Sequence, residues 1–405
     1  MMKNKASWKK SSDLAFDMKR KADEAIKVFG KDRVINAVLG VLTDDNGKII
    51  ALESVYDCLD KLDRADLASY APIEGDKAYQ EKVIEILFGP YKPKSYIKAI
   101  ATPGGTGAIR AGITNFIGKG DPLICHDTFW GVYKKMADEF ERDFRTYQFL
   151  DENYTFNFKA FKEELEKALG DSNRLAIILN SPGNNPTGYS LSNEQWDKLL
   201  DLLRKKAEDK DKNLSLIVDV AYLEFAGDGN SQREFFQKFE NLPPNLFIEV
   251  CFSMSKAYTA YGLRSGAAVG ISSDKKAIED FYLAFAHTAR VNWSNTNHGA
   301  QKVLVELNKK ENLGKYNKDL GMAKALLKKR ADIFVSEMAK EKIPMVPYFG
   351  GFFAFIPTDK AFDISNLLEK DQIFILPSDK GIRIALCSIA TSQIQRLVGS
   401  LGKYL

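Results

Sequence analysis

From about residue 75 to residue 270 the chain alternates short β-branched apolar runs with amphipathic stretches, and this rhythm constrains the fold more than any other feature. YIKAIAT (96–102), PLICHD (122–127), RLAIILN (174–180), LSLIVDV (214–220), NLFIEVCF (245–252) and GAAVGIS (266–272) have the length and the continuous apolar character of strands buried on both faces. Helical patterns such as FKAFKEELEKALG and SNEQWDKLLDLLRKKAED lie between them. Strands that alternate with helices need crossovers, and crossovers make a mostly parallel sheet covered by helices on both faces. The fold class predicted is therefore α/β. From about residue 300 the pattern turns helical, then closes with three strand-like runs, GFFAFIP, QIFILP and GIRIALCSI, which suggests a second, smaller α+β domain. The expected division is an N-terminal segment, residues 1–50, joining the small domain, a large domain over 51–305, and a small C-terminal domain over 306–405.

Composition excludes several classes. At 405 residues the chain is long enough for about two cores, and 45% hydrophobic with 28% charged residues is an ordinary globular mix. A net charge of +4, with lysines spread among acids, leaves no basic stripe for nucleic acid. No run approaches the roughly 20 apolar residues of a membrane helix. The charged start, MMKNKASWKKSSDLAFDMKRKADEA, has no apolar signal-peptide core, so a cytoplasmic setting is expected. Cys58, Cys125, Cys251 and Cys387 lie far apart without metal-ligand spacing, and with His126, His287 and His298 the only histidines, no metal site is expected.

In an open parallel sheet, ligands bind beyond the carboxyl ends of the strands, and the residues there are chemically unusual. After YIKAIAT comes PGGTGAIRAG, where Gly104, Gly105 and Gly107 would let backbone N–H groups approach an anion, Thr106 adds a hydroxyl, and a helix begins. It reads as a phosphate cradle or an ordinary tight turn, without the lysine of a P-loop. TFWGVY follows PLICHD, and Trp130 there is either core or a surface for a planar ring. SPGNNPTGYSLS must be a loop, and its Asn185 offers both an amide donor and an acceptor. Asp219 sits inside an apolar strand and needs a cation or strong donors, with Tyr222 three residues on. SMSKAYTAYGLRSG places Lys256 directly after a strand, with Ser253 and Ser255 before it and Arg264 eight positions later. A lysine near other cations in a partly desolvated site favours its amine form, as a Schiff-base nucleophile requires, while Arg264 and the serines could hold a phosphate.

One ligand answers all of these demands. A phosphate, a planar ring, a cationic ring nitrogen, a phenolate oxygen and an aldehyde together describe pyridoxal 5′-phosphate. The set YAPIEG, GGTGA, NNPTG, DVAY, SMSKAYTAYGLRSG and GIRIALC also resembles the class I aminotransferases of the aspartate and aromatic amino acid type, pyridoxal-phosphate enzymes of fold type I. The likeness runs in the family's order from about residue 34 to residue 387.

The resemblance implies a homodimer that moves an amino group from an L-amino acid to a 2-oxo acid such as 2-oxoglutarate in a ping-pong reaction. Lys256 would bond the cofactor's aldehyde and shuttle the Cα proton. Asp219 would pair with the ring nitrogen, Asn185 and Tyr222 would hold the ring oxygen, and Trp130 would stack on the ring. Gly105, Thr106, Ser253, Ser255 and Arg264 would surround the phosphate, joined by Tyr70 from the neighbouring subunit. Arg383 would take the substrate α-carboxylate, and Gly40 matches the glycine of a mobile segment that closes over substrate. Arg290, in RVNWSNTNHGA, stands where the family pairs with the distal carboxylate of aspartate or glutamate; its presence favours dicarboxylates without excluding phenylalanine or tyrosine. A lyase or decarboxylase on the same fold is the nearest alternative, and a non-catalytic DNA-binding regulator a more distant one. There are departures: Val132 and Tyr133 stand where the aspartate enzymes commonly carry Asn and the His that backs the ring-nitrogen aspartate, and Leu42 replaces a frequent aromatic residue.

Overall fold

The computed structural model describes residues 14–227 and 229–405. The charged opening, residues 1–13 of the expected N-terminal segment, lies outside them. The chain divides into two compact units. One holds Ala51–Pro182 and Ser190–Asp319; the other holds the described part of Met1–Ile50, with Gly183–Tyr189 and Leu320–Leu405. The later boundary thus falls within the helix Lys310–Lys340, and the loop Gly183–Tyr189 belongs to the smaller unit.

The larger unit is built on seven strands: β1 (Tyr96–Thr102), β2 (Pro122–His126), β3 (Asp143–Tyr147), β4 (Arg174–Asn180), β5 (Asn213–Asp219), β6 (Leu246–Ser253) and β7 (Gly266–Ser272). Their order across the sheet is β1-β7-β6-β5-β4-β2-β3. All pairs are parallel except those of β7, which runs antiparallel to β1 and β6. This is the mostly parallel α/β sheet expected from the apolar rhythm. The inner strands are almost wholly buried, which is why they read as continuous apolar runs. The strand β3, DFRTY, is short, partly exposed and at the edge; Arg145 there pairs with Asp143 and Asp171.

The helices start where the sequence supplies caps. Ser192 and Gln195 form a reciprocal capping box at the head of Asn193–Lys206, and Asn157 Oδ1 accepts the Ala160 N–H at 3.0 Å to open Phe158–Asp171. The helix Gly104–Phe116 buries Ile109 and Ile113 and packs on β7. It enters a core with Ile100, Leu123, Ile178, Ile217 and Phe285.

Because the parallel strands share a direction, Thr102, Asn180, Asp219 and Ser253 end their strands along one edge. Register brings Asp219 opposite both Asn180 and Cys251, and Gly266 opposite both Thr102 and Ser253.

The smaller unit contains an antiparallel sheet in the order Leu376–Ser378, Gly381–Ala385, Phe353–Pro357, and a two-residue parallel pair of Ile35–Asn36 with Ile373–Phe374. The amphipathic helix Leu14–Phe29 contributes Met18 and Ala22 to a cluster with Val34, Val38 and Phe374.

Candidate active site

In the larger unit the site grows from Asp219, the last residue of β5. Its carboxylate is buried and each oxygen has a donor: the Tyr133 hydroxyl donates to Oδ2 at 2.6 Å and the Ala221 N–H to Oδ1 at 3.0 Å. The Asn180 side-chain amide donates to the Asp219 carbonyl at 2.8 Å and fixes the strand end. Burial pushes the Asp219 carboxyl up, while these two donors and the charge of Lys256 pull it back down. The acid is thus held in a dry site by hydrogen bonds and a cation, the condition under which a buried carboxylate is tolerated.

Lys256 stands in the loop after β6. Its Nζ lies 5.0 Å from the ring centroid of Tyr261 and 5.6 Å from that of Tyr222. The loop is anchored at both ends: the Tyr258 N–H donates to the Met254 carbonyl at 3.2 Å, the Thr259 N–H to the Lys256 carbonyl at 3.1 Å, and Tyr258 stacks on Tyr316. Thr259 and Arg264 both adopt positive φ, 45° and 51°, sparsely populated for side chains of their kind.

Arg264 closes a small cationic corner. Its Nη1 donates to Ser255 Oγ at 3.3 Å and to the Tyr261 carbonyl at 2.9 Å, and the Ser255 N–H donates to Ser253 Oγ at 3.2 Å. Gly104, with φ of +72°, opens the facing helix, and a Cβ there would stand 2.8 Å from Arg264 Nη2. A Cβ on Gly105 would lie 3.3 Å from that of Ser253. The head of the helix Gly104–Phe116, where Thr106 also sits, therefore meets the serines and the arginine without intervening side chains. Free N–H groups at a helix start, hydroxyls and a guanidinium are the donor set of an anion site.

Trp130 packs edge to face on Tyr133, with ring centroids 5.5 Å apart at 88°. Tyr222 is buried beside Asp219 in sequence. Two of the expected residues stay at the surface of this unit: Tyr70 is 87% exposed, and Arg290 is exposed with Nη1 donating to Ser294 Oγ at 2.7 Å.

In the smaller unit Arg383, on the strand Gly381–Ala385, is buried. It donates through Nη1 to Asn185 Oδ1 at 3.1 Å and through Nη2 to the Val38 carbonyl at 2.5 Å. Its guanidinium carbon lies 4.2 Å from the centroid of Phe353, and Gly40 covers the same ring so closely that a Cβ would be 2.6 Å from its Cζ. The structure thus groups Arg383, Asn185 and Gly40. Phe353 and Tyr133 are parts of these arrangements to which the sequence reading gave no role. Tyr133 was visible only as a departure from the aspartate-enzyme pattern, and Phe353 lay inside an apolar strand with nothing to mark it.

Comparison with known proteins bears directly on this arrangement. Residues 33–401 match the model of the family "Aminotransferase class I and II". The chain belongs to this family. It is an aminotransferase, an enzyme that transfers amino groups. The aspartate aminotransferase of Salmonella typhi is 26% identical over 360 residues, 86% of each chain, and the aromatic-amino-acid aminotransferase of Escherichia coli K12 is 24% identical over 376 residues, 90% of this chain and 91% of that one. An aminotransferase from Anaerococcus prevotii has 57% identity and a TM-score of 0.99, with 100% of this aminotransferase and 99% of that chain covered. Among the described residues, no helix of the aminotransferase is long and apolar enough to cross a membrane.

Proposed function

We propose that this aminotransferase works through pyridoxal 5′-phosphate, takes a dicarboxylic L-amino acid, aspartate or glutamate, as donor with 2-oxoglutarate as acceptor, and acts as a cytoplasmic homodimer. The observation that carries the cofactor reading is Asp219: a buried acid, oriented by two donors, within electrostatic reach of Lys256. The cradle at Gly104, which a Cβ would fill, supplies the second half of the fit. These residues suit a phosphorylated, cationic aromatic ring.

When bound, the cofactor supplies an electron sink for charge left at a substrate Cα. The rest belongs to the chain. Asp219 would accept the ring nitrogen's proton, its carboxylate being oriented by the Tyr133 and Ala221 donors. Ser253, Ser255, Arg264, Thr106 and the Gly105 N–H bind the phosphate, with Tyr70 of the partner subunit completing it. Tyr222 and Asn185 hold the ring oxygen and Trp130 supports the ring face. Lys256 would be the residue that holds the cofactor's aldehyde through its amine, and its Nζ would move the proton at the substrate Cα. Arg383 takes the α-carboxylate as a bidentate pair, and Gly40 belongs to the segment that closes over substrate. Arg290 takes the distal carboxylate.

The relatives named for aspartate and for aromatic amino acids support the substrate class and leave aromatic donors as its second branch. The four cysteines, all free, support a reducing compartment. The deciding experiment follows the visible absorbance of bound cofactor during half-reactions with aspartate, glutamate, phenylalanine and tyrosine. Arg290→Ala should lose activity toward aspartate and keep it toward phenylalanine; equal losses, or none, would remove the dicarboxylate assignment.

A further inference from the structure

The hydroxyl of Tyr133 lies 2.6 Å from Asp219 Oδ2, and both groups are buried. That separation is in the range of charge-assisted O–H···O⁻ bonds. The phenol belongs to the first turn of the helix Val132–Glu139, and its N–H is tied to the Trp130 carbonyl at 2.9 Å. Its ring meets the Trp130 indole at 88°. One side chain therefore touches two of the residues proposed to hold the cofactor: the acid by its oxygen, the indole by its ring.

The charged and titratable groups around this pair come from four elements. Lys256 acts on Asp219 from the loop after β6; Cys251 of β6 and Cys125 of β2 act on Tyr133, and Asp219 itself lies at the end of β5. No imidazole is among them. Burial and the neighbouring carboxylate push the Tyr133 phenol well above its ordinary value, so it keeps its proton across the physiological range. The thiols are likewise pushed up by burial and stay neutral.

We propose that Tyr133 is the positioning residue for Asp219: a neutral, non-titrating donor that keeps the carboxylate ionised and aimed, and so gives its hold on a cationic ring nitrogen a strength that does not vary between about pH 6 and pH 9. The chemistry follows from the donor inventory. An ionised carboxylate only accepts, and a phenol offers one hydrogen. If Oδ2 took a proton, the buried phenol would lose this acceptor, so the bond favours the anion. Ala221 fixes the other oxygen, leaving each with one protein donor and spare lone pairs. An imidazole can gain a second proton and with it a positive charge; a phenol cannot. The inference rests on the pyridoxal-phosphate reading above.

The test uses purified holoenzyme and two variants, Tyr133→Phe and Tyr133→His, with pyridoxal 5′-phosphate as the probe. The quantities measured are the cofactor dissociation constant between pH 5.5 and 9, the visible absorption of the bound cofactor over the same range, and thermal unfolding as a check on folding. Tyr133→Phe keeps the ring contact with Trp130 and loses only the hydroxyl. It should bind the cofactor at least tenfold more weakly, with the pH midpoint of its visible spectrum displaced from that of the wild type. Tyr133→His restores a donor and should recover most of the affinity at pH 8, but with a pH dependence of affinity in excess of the wild type's, to which the cofactor's own phosphate contributes. If Tyr133→Phe does not fold, Tyr133→His decides: a pH dependence of affinity beyond that of the wild type supports the proposal, and affinity and spectrum identical to the wild type's at every pH overturn it. Wild-type affinity and spectrum in a folded Tyr133→Phe overturn the role of Tyr133 alone. A wild-type protein that takes up no pyridoxal 5′-phosphate overturns the cofactor reading and this proposal with it.

Discussion

Arg383 lies over the face of Phe353, its guanidinium carbon 4.2 Å from the ring centroid, while Nη1 and Nη2 donate to Asn185 and to the Val38 carbonyl. The ring and the two acceptors fix the plane of the guanidinium, and a fixed plane is what bidentate recognition of a carboxylate needs. Phe353→Leu removes the cation–π contact, worth roughly 1 kcal/mol at a partly desolvated site. The KM for amino acid donors should then rise about fivefold with kcat within about twofold, since 1.4 kcal/mol corresponds to a factor of ten. Arg383→Lys should cost more, about 100-fold in kcat/KM, because an ammonium cannot reproduce the fork. Steady-state kinetics separate the two; an unchanged KM in Phe353→Leu would show that the ring does not orient the arginine.

The parts of this enzyme that can be read along the chain are those whose reason is local. Six of the seven large-sheet strands are continuous apolar runs, and Asp219 is conspicuous because a carboxylate interrupts such a run at its end. The strand Asp143–Tyr147 carries no such mark: an edge strand needs one buried face at most, and the long-range partner of its Arg145, Asp171, stands at the far end of the next helix. Tyr133 and Asp219 are 86 positions apart, and nothing in either neighbourhood indicates their bond; it exists because the start of the helix Val132–Glu139 brings the phenol to the end of β5. Arg383 and Phe353 meet through antiparallel pairing in which Arg383 stands opposite Phe355, again a matter of register and not of composition.

Thr259 shows how the lysine loop is held. Its φ of 45° is unfavourable for a β-branched residue, yet its Oγ1 accepts the Leu52 N–H at 3.0 Å and its carbonyl accepts the Tyr56 hydroxyl at 3.2 Å. Leu52 precedes the helix Glu53–Asp60 and has no cap of its own, so the threonine hydroxyl serves a helix start distant in sequence. Thr259→Ala leaves that buried N–H without an acceptor and should destabilise the fold by about 1–3 kcal/mol. Thr259→Ser keeps the acceptor and should be near neutral. Urea unfolding of the two variants distinguishes them; equal losses would mean that the methyl group, and not the hydrogen bond, carries the effect.

Glu249 of β6 is fully buried, faces the backbone of the helix Gly104–Phe116 at Gly112, and neither carboxyl oxygen has a hydrogen-bond partner of ordinary geometry. Burial pushes its pKa well up, with only the Cys251 thiol pulling the other way. A folded-state pKa above the unfolded value means that folding takes up a proton. The associated stability is complete below the unfolded value of about 4.3 and is lost as pH rises toward the folded one, at about 1.4 kcal/mol per pH unit. His126 has the opposite sign: burial lowers its pKa to about 4, so stability falls as pH drops from about 6.5 toward that value. Above pH 6.5 His126 is neutral in both states and the two effects separate. As pH rises above the unfolded value of about 4.3, the wild type should therefore lose stability relative to Glu249→Met, which carries an apolar side chain of similar length and shares the His126 effect, and the variant should be the more stable protein at pH 8. Urea unfolding at half-unit steps measures this difference, and parallel pH dependences for the two proteins would mean that Glu249 is not protonated in the folded state.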